Sequence, residues 1–401
     1  KRYDTVTDEA VQEACRAGDH LVREAGGWQA GLRAMKNAWR EQGIPGNPGK
    51  PGVHHLDGCY DPEVRRVIDP DTLEYIQYLR ENGAPTRTET KGGRVRSRPH
   101  ASYLEHLKEG REKAWKEMKK GRVLSITSKL SPELLEGIKS SPMVRAAKLE
   151  PDRSVSCDGR FGHDQRKVLN EAGVKWDHPP ALQPTHGSVG KAAVYYDAQF
   201  PELPILSAKT DVDGAFRWVE VEEGDCGTMS TESPGKDFGV EGDLIDIYAV
   251  LSFGFLGSPG EYQVLAHASK QYFEAHHPTC PEWNGNYPFR GWFLVDDKVR
   301  LEVALGIRPA LSEACSKQGI KKVMGEEAVN EKKDKLEGEW EVKKLIWGII
   351  MNFRDFINSL PPVKLLKASY VLGDPELDPG LPNLRLITVQ RGRGNLQHWS
   401  V

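Results

Sequence analysis

The sequence predicts an α+β fold, and three observations carry the prediction. Strand-like runs at Ile205 to Ala208, Trp218 to Val221, Trp292 to Val295 and Leu345 to Ile350 alternate with helix-length segments, and several of these strands are linked as hairpins. The chain has 401 residues, 38% hydrophobic and 28% charged, long and apolar enough to bury a core in each of two or three lobes, which excludes disorder and fibrous architecture. No internal repeat breaks it into equal units. Lys and Arg total 55 against 58 Asp and Glu, so any basic surface is local. Six cysteines scattered without close pairing predict free thiols and an intracellular protein, cytoplasmic or nuclear. Leu244 to Gly257, the longest apolar stretch, is interrupted by Asp246 and is too short for the ~20 residues of a membrane span, so no membrane partner is expected. The first residue is Lys and no signal-peptide pattern follows, which reads as a segment of a longer reading frame or a processed product.

The elements follow in order. Val11 to Glu24 has the spacing of a short helix, and Pro45 to Gly52 is punctuated too densely by Gly and Pro for any regular element, so it reads as a linker or extended arm. Asp71 opens a segment with Leu73, Ile76 and Leu79 at helical spacing, stopped by Gly83 and Pro85. Between Arg87 and Arg122 twelve Lys or Arg stand against five Glu. Within that stretch Leu104, Leu107, Trp115 and Met118 keep one helix face apolar up to Gly121, and the cationic face is either solvated or a contact for a phosphate backbone. Ser131-Pro-Glu looks like a helix start with Pro at its first position, and Ser154 to Cys157 looks like a short strand.

Two acidic groups stand at the ends of strands that should be buried. Asp211-Val-Asp213 follows Leu203 to Leu206, and Asp296-Asp297 follows Gly291 to Val295. An unpaired carboxylate there is costly, and carboxylates brought together by adjacent strands repel unless divalent cations lie between them; hard oxygen donors favour Mg²⁺. The bland alternative for Asp296-Asp297 is an ordinary hairpin turn. Phe253 to Gln263 is a Gly/Ser/Pro loop feeding a helix, either a close approach to a flat partner or a plain helix start with Ser258 as cap and Pro259 at the first position.

Taken together and in this order, the motifs resemble a reverse transcriptase, most like those of long-terminal-repeat and tyrosine-recombinase (DIRS-like) retrotransposons, from about Gly110 to the end. Asp211-Val-Asp-Gly-Ala-Phe216 is similar to the first palm motif, and Phe253 to Gln263 to the template and primer-positioning motif, matching at Gly254, Gly257, Ser258, Pro259 and Gln263. Leu294-Val-Asp-Asp297 is similar to the aromatic-x-Asp-Asp turn, with Leu294 in the aromatic's place and Phe293 just before it. Upstream, Ser141 to Arg145, Lys148 and Arg153 to Arg160 resemble the fingers segment, with Arg153 one residue out of the usual register. Downstream, Asn330 to Lys333 and Leu345 to Gly348 resemble the lysine motif and primer-grip hairpin, and Leu360 to Lys364 the strand opening the thumb.

The resemblance implies a right-hand polymerase: an N-terminal extension of unknown role over 1–100, mainly helical, fingers over 101–204, palm over 205–354 and the start of a thumb or connection over 355–401. It makes Asp211, Asp296 and Asp297 the ligands of two Mg²⁺ ions, with Mn²⁺ as substitute. Lys333, or Lys332, would donate a proton to pyrophosphate. Lys148 and Arg153 would hold the triphosphate, Phe216 would exclude a 2′-hydroxyl, and Phe253 and Gly254 would line the nucleotide site. Gly257, Ser258, Pro259, Gln263, Trp347 and Gly348 would position template and primer. The implied partners are an RNA or DNA template with primer, dNTPs and the rest of a retroelement polyprotein.

Lys298, beside the aspartate pair, is expected to ion-pair with Asp297. His54-His55 with Cys59, and His276-His277 with Cys280, have spacings that can recruit zinc but lack a Cys-x-x-Cys half, so surface histidines are the default. The acidic stretch Glu220 to Glu241 reads as a solvated loop. RNA-directed DNA synthesis leads. An RNA-directed RNA polymerase is the runner-up, opposed by Phe216, and a decayed copy that binds nucleic acid without catalysis is the reading from a different class.

Overall fold

The computed structural model describes residues 6–42, 52–88, 93–146, 159–278 and 287–373. Lys148, Arg153, Cys157, Cys280, the Ser154 to Cys157 strand, nearly all of the Pro45 to Gly52 arm and the chain after 373 lie outside them. The fold is mixed, 48% helical and 19% strand, so the α+β expectation holds.

Helix α1 (Asp8–Ala25) starts where the Thr7 hydroxyl accepts the Ala10 N–H and stops at Gly26, whose φ of 80° no continuing helix allows. Helix α2 (Trp28–Gln42) is not anticipated from sequence: Gly26-Gly27 and a polar composition hide its buried stripe of Trp28 and Leu32. Short α3 (Pro62–Arg65) leads to α4 (Pro70–Asn82), capped by the Asp69 carboxylate on the Thr72 N–H at 2.9 Å. The expected apolar-and-basic helix divides into α5 (Ala101–Leu104) and α6 (Leu107–Lys119). Ser131 introduces only a 3₁₀ turn, Pro132–Leu135.

Strands β1 (Val123–Thr127), β2 (Met143–Ala146) and β3 (Arg160–His163) precede α7 (His186–Gln199) and β4 (Ile205–Asp211). Then come β5 (Ser230–Pro234), β6 (Asp243–Tyr248), α8 (Ser258–Ala275), β7 (Arg290–Leu294), β8 (Asp297–Val303), α9 (Arg308–Met324) and α10 (Glu331–Glu337). Strands β9 (Lys343–Ile346), β10 (Ile349–Asn352) and β11 (Ile357–Ser359) and helix α11 (Pro362–Leu372) complete the order. The strands form antiparallel sheets β1-β6-β5, β4-β8-β7 and β11-β10-β9 and the β2-β3 pair.

The expected strand Trp218 to Val221 does not form. Gly214, at φ 63°, turns the chain into a 3₁₀ turn over Ala215–Trp218, and the Trp218 indole N–H donates to the Asp213 carbonyl at 2.7 Å; Glu220 and Val221 make only isolated bridges.

Sheet β4-β8-β7 is covered on both sides. Val299, Leu301 and Val303 pack with α7 and the β9–β10 hairpin, while α8 and α9 cover the other face. Lys298, Arg300 and Glu302 alternate with those apolar residues and are fully buried toward the helices. The N-terminal helices share the main core: Val22, Trp28, Leu32, Leu56 and Ile76 belong to one cluster with Leu135, Met229, Tyr262 and Val323.

Much of the basic segment is consumed by internal pairing. Arg94 bridges Glu232 at 2.5 Å, Arg111 is buried in a forked pair with Asp246 at 2.8 and 3.0 Å, and Arg87 lies 3.8 Å from Glu261. The acidic stretch is likewise only partly solvated: Glu232 is buried in β5, Glu220 answers Lys36, Arg40 and His54, and the Asp225 carboxylate accepts from Thr86. Both segments read as surface because their partners are far apart in sequence. Cys15, Cys59, Cys226 and Cys315 are free thiols, and all four are buried. Among the described residues no helix is long and apolar enough to cross a membrane.

Candidate active site

Strands β4 and β8 run antiparallel with Asp211 opposite Asp297, so both side chains project from one face at one end of the sheet. A two-residue turn, Val295-Asp296, joins β7 to β8, with Leu294 paired to Asp297. Val295 sits at φ 56°, a conformation that costs a β-branched residue about 1–3 kcal/mol. The turn is tied back to β4 by the Val212 N–H, which donates to the Asp296 carbonyl at 2.8 Å. The three aspartates of the sequence analysis thus come to one sheet edge.

Each of the two paired aspartates already has a cation. The Lys333 ammonium lies 2.5 Å from one Asp211 oxygen, and the Asn330 amide donates to the other at 2.9 Å. Both come from the start of α10, where the Asn330 side chain also accepts the Lys333 N–H and so fixes the lysine's approach. Lys209 lies 3.3 Å from Asp297 and 2.7 Å from Glu337. Burial nevertheless raises the Asp211 carboxyl, with the Asp296 charge adding to it against Lys333. Burial pushes Asp297 up to about 6, offset by Lys209 and reinforced by Asp296 and Asp211. These are carboxylates that still lack enough positive charge.

The expected Lys298–Asp297 pair is not made. Consecutive strand residues point to opposite faces, so Lys298 turns away from Asp297 and is fully buried, its ammonium 4.1 Å from the Phe273 ring centre and 4.9 Å from that of Phe293. Burial, and Arg300 beside it, hold its pKa well below the lysine range. Lys209 is the counter-ion that the sequence analysis missed; its place two residues before Asp211 on the same strand face was the available signal.

Phe216 is buried in the 3₁₀ turn after Asp211, its ring 4.8 Å from Phe253 and 6.0 Å from Tyr262. The Tyr262 hydroxyl is buried without a hydrogen-bond partner, and burial together with the charges of Asp296 and Asp211 raises it well above its ordinary value. It is a second residue at the site that the sequence analysis did not single out.

In the loop before α8, Phe253 and Gly254 are exposed, while Gly257 and Ser258 are buried. Gly254 has φ 108°, and a Cβ there would sit 1.9 Å from the His163 carbonyl oxygen, so this loop can lie against β3 only with glycine. Ser258 is not the helix cap: its hydroxyl donates to the Ser252 carbonyl at 2.8 Å and closes the loop, with Pro259 in the first turn of α8. Gln263 lines a cavity of about 470 Å³ with Trp292, Phe293 and the segment Pro179 to Pro184. Trp347 and Gly348, at φ 43° and 84°, form the tight turn of the β9–β10 hairpin, and the Trp347 indole reaches the Asp297 carbonyl at 3.4 Å.

No family model and no curated protein matches the chain.

Among the described residues, one trio brings possible metal donors within 4.8 Å of one another: His54, His55 and Glu220. It is a poor metal site. The His54 Nδ1 accepts the Leu56 N–H, the His55 Nε2 meets the Trp218 carbonyl at 2.7 Å, and Glu220 is ion-paired with Lys36. Cys59 is elsewhere, its thiol directed at the Val323 carbonyl, so the zinc pattern is not assembled. The three aspartates do not close to that distance while Lys333 and Lys209 hold two of them. Their all-oxygen donor set, with two carboxyls raised chiefly by burial and further by the neighbouring aspartate charge, suits hard divalent cations better than nitrogen-rich sites do.

Proposed function

We propose that this chain is an RNA-directed DNA polymerase of a retroelement, extending a primer 3′-hydroxyl with dNTPs on a nucleic-acid template. The observation that carries the reading is the pairing of Asp211 with Asp297 across two antiparallel strands, with Asp296 in the strained turn between β7 and β8. In this reading the β4-β8-β7 sheet with α8 and α9 is a palm, the β2-β3 pair belongs to fingers, and β11 with α11 opens a thumb, the strand expected at Leu360 to Lys364 running into that helix instead.

Asp211, Asp296 and Asp297 would hold two Mg²⁺ ions, which when bound supply Lewis-acid activation of the 3′-hydroxyl and charge neutralisation at the triphosphate. The chain's own groups do the rest. Phe216, backed by the Tyr262 ring and flanked by Phe253, would form an apolar floor that crowds a 2′-hydroxyl. Lys333 is held at Asp211, and its ammonium would be the proton donor to the leaving pyrophosphate. The Trp347 turn supports the Asp297 backbone from below.

Primer extension on an RNA template, with dNTP or NTP in Mg²⁺ or Mn²⁺, tests the reading. Asp296→Asn and Asp211→Asn keep shape and remove charge, so duplex binding should persist while extension falls by several orders of magnitude. Wild-type protein that binds a template-primer normally and extends nothing refutes the catalytic reading and leaves a nucleic-acid-binding relic. Extension with NTP in preference to dNTP makes it an RNA polymerase.

A further inference from the structure

A small cleft of about 80 Å³ opens beside the 3₁₀ turn that carries Phe216, between α2 and the turn joining α6 to β1. We propose that this cleft binds a phosphate group, and that completing it is a task of the N-terminal helices.

The argument begins with charge. Lys36 and Arg40 enter from α2, Lys120 and Arg122 from the turn, and Arg217 from the residue after Phe216. Three carboxylates face these five cations. Glu220 serves Lys36, Arg40 and His54 together. Asp213 lies 3.5 Å from Lys120, and Glu117, held in spite of its burial below the usual carboxylate range by the charges of Arg217 and Arg122, lies 3.3 Å from Arg122. His55 adds no charge, since burial and the neighbouring His54 hold it down to about 3. Positive charge is therefore in excess in a partly enclosed space, where it is costly until an anion enters.

The second observation is Arg217. Its guanidinium lies 4.8 Å over the Tyr248 ring, and its Nη1 is buried with no hydrogen-bond partner. A buried guanidinium nitrogen without an acceptor is a vacancy for an oxyanion, and the arginine fork matches the oxygens of phosphate. Trp39 and Trp218 supply flat walls, with Arg122 stacked 4.9 Å over Trp218. The volume admits one phosphate and excludes a whole nucleotide, so an attached sugar or base would have to lie outside, against an indole. Through Lys120 the cleft borders Asp213, two residues after Asp211 in the chain. The phosphate is either part of a nucleic-acid strand or free pyrophosphate, and the two share this chemistry.

The test needs no catalysis, so its failure and that of the polymerase reading are separable. Full-length protein, without divalent cation or dNTP, is titrated into a labelled short single-stranded RNA, and the complex is then challenged with pyrophosphate. Lys36→Gln with Arg40→Gln should weaken RNA binding by roughly tenfold per lost charged contact and flatten the log–log salt dependence by about 0.7 per contact. Arg33→Gln, on the same helix but paired outward with Glu223, should change neither. Arg217→Gln repeats the test from the other wall should the α2 variant fail to fold. Weaker RNA binding without pyrophosphate competition assigns the site to a strand phosphate; competition that is lost in the variants assigns it to free pyrophosphate. Unchanged affinity and salt slope in the folded variants overturns the proposal.

Discussion

His163 ends β3 with its ring buried, both ring nitrogens without hydrogen-bond partners, and its edge against Tyr248 at 4.8 Å. Burial, with the Arg217 charge added, lowers its pKa to about 3. A free histidine titrates near 6.5, so on acidification the unfolded chain takes up a proton that the folded chain refuses. For a base whose folded pKa is depressed, stability is complete above the unfolded pKa and is lost as pH falls below it. From pH 6.5 to about pH 5 the loss is about 1.5 units at about 1.4 kcal/mol each, or about 2 kcal/mol. His163→Phe keeps the ring and the contact with Tyr248 but cannot titrate. Denaturant unfolding of both proteins at about pH 7.5 and about pH 5 should show the variant gaining about 2 kcal/mol on the wild type as pH falls. His55, depressed to about 3 by burial, loses stability over the same window, while Glu302, raised to about 7 by burial, works in the opposite direction. Both are common to the two proteins and cancel in the difference. Parallel pH slopes for the two proteins would refute the argument and mean that His163 is hydrated or paired.

Phe216→Ala should open the floor beneath the sugar and raise ribonucleotide incorporation while part of dNTP use survives; unchanged discrimination rejects the gate. Lys298→Met replaces a buried amine that has no hydrogen-bond partner between two phenylalanines by an apolar chain of similar length, so it should raise folding stability by about 1–3 kcal/mol and leave extension unchanged. A lower melting temperature would show that the amine has a partner inside the protein.

What could be read from the sequence was local. Asp211, Asp296 and Asp297 were legible because acidic residues at the ends of apolar strands announce themselves, and Lys333 because a motif placed it. The turn of Trp347 and Gly348 was visible only as part of a hairpin. The fates of the charged segments were not legible. Arg111 meets Asp246 and Arg94 meets Glu232 across more than a hundred residues, so twelve cations in a row looked like a surface when several are internal. Lys298 misled for a related reason: adjacency in sequence suggested a pair with Asp297, whereas in a strand adjacency means opposite faces. Helix α2 was lost because two glycines and a polar composition mask a narrow apolar stripe.

The motifs that suggest a polymerase begin near Gly110, yet the folded body does not begin there. Trp28 donates its indole N–H to the Glu136 carbonyl at 2.8 Å, a Cβ on Gly227 would strike that indole at 2.8 Å, and one on Gly58 would lie 2.1 Å from the Lys322 carbonyl oxygen. Helix α2 and the 3₁₀ turn His55–Tyr60 are therefore inner walls, and cutting the chain at the first recognisable motif would remove them from the core they help close. The stretch that carries the resemblance and the stretch that must fold together are different lengths of the same chain.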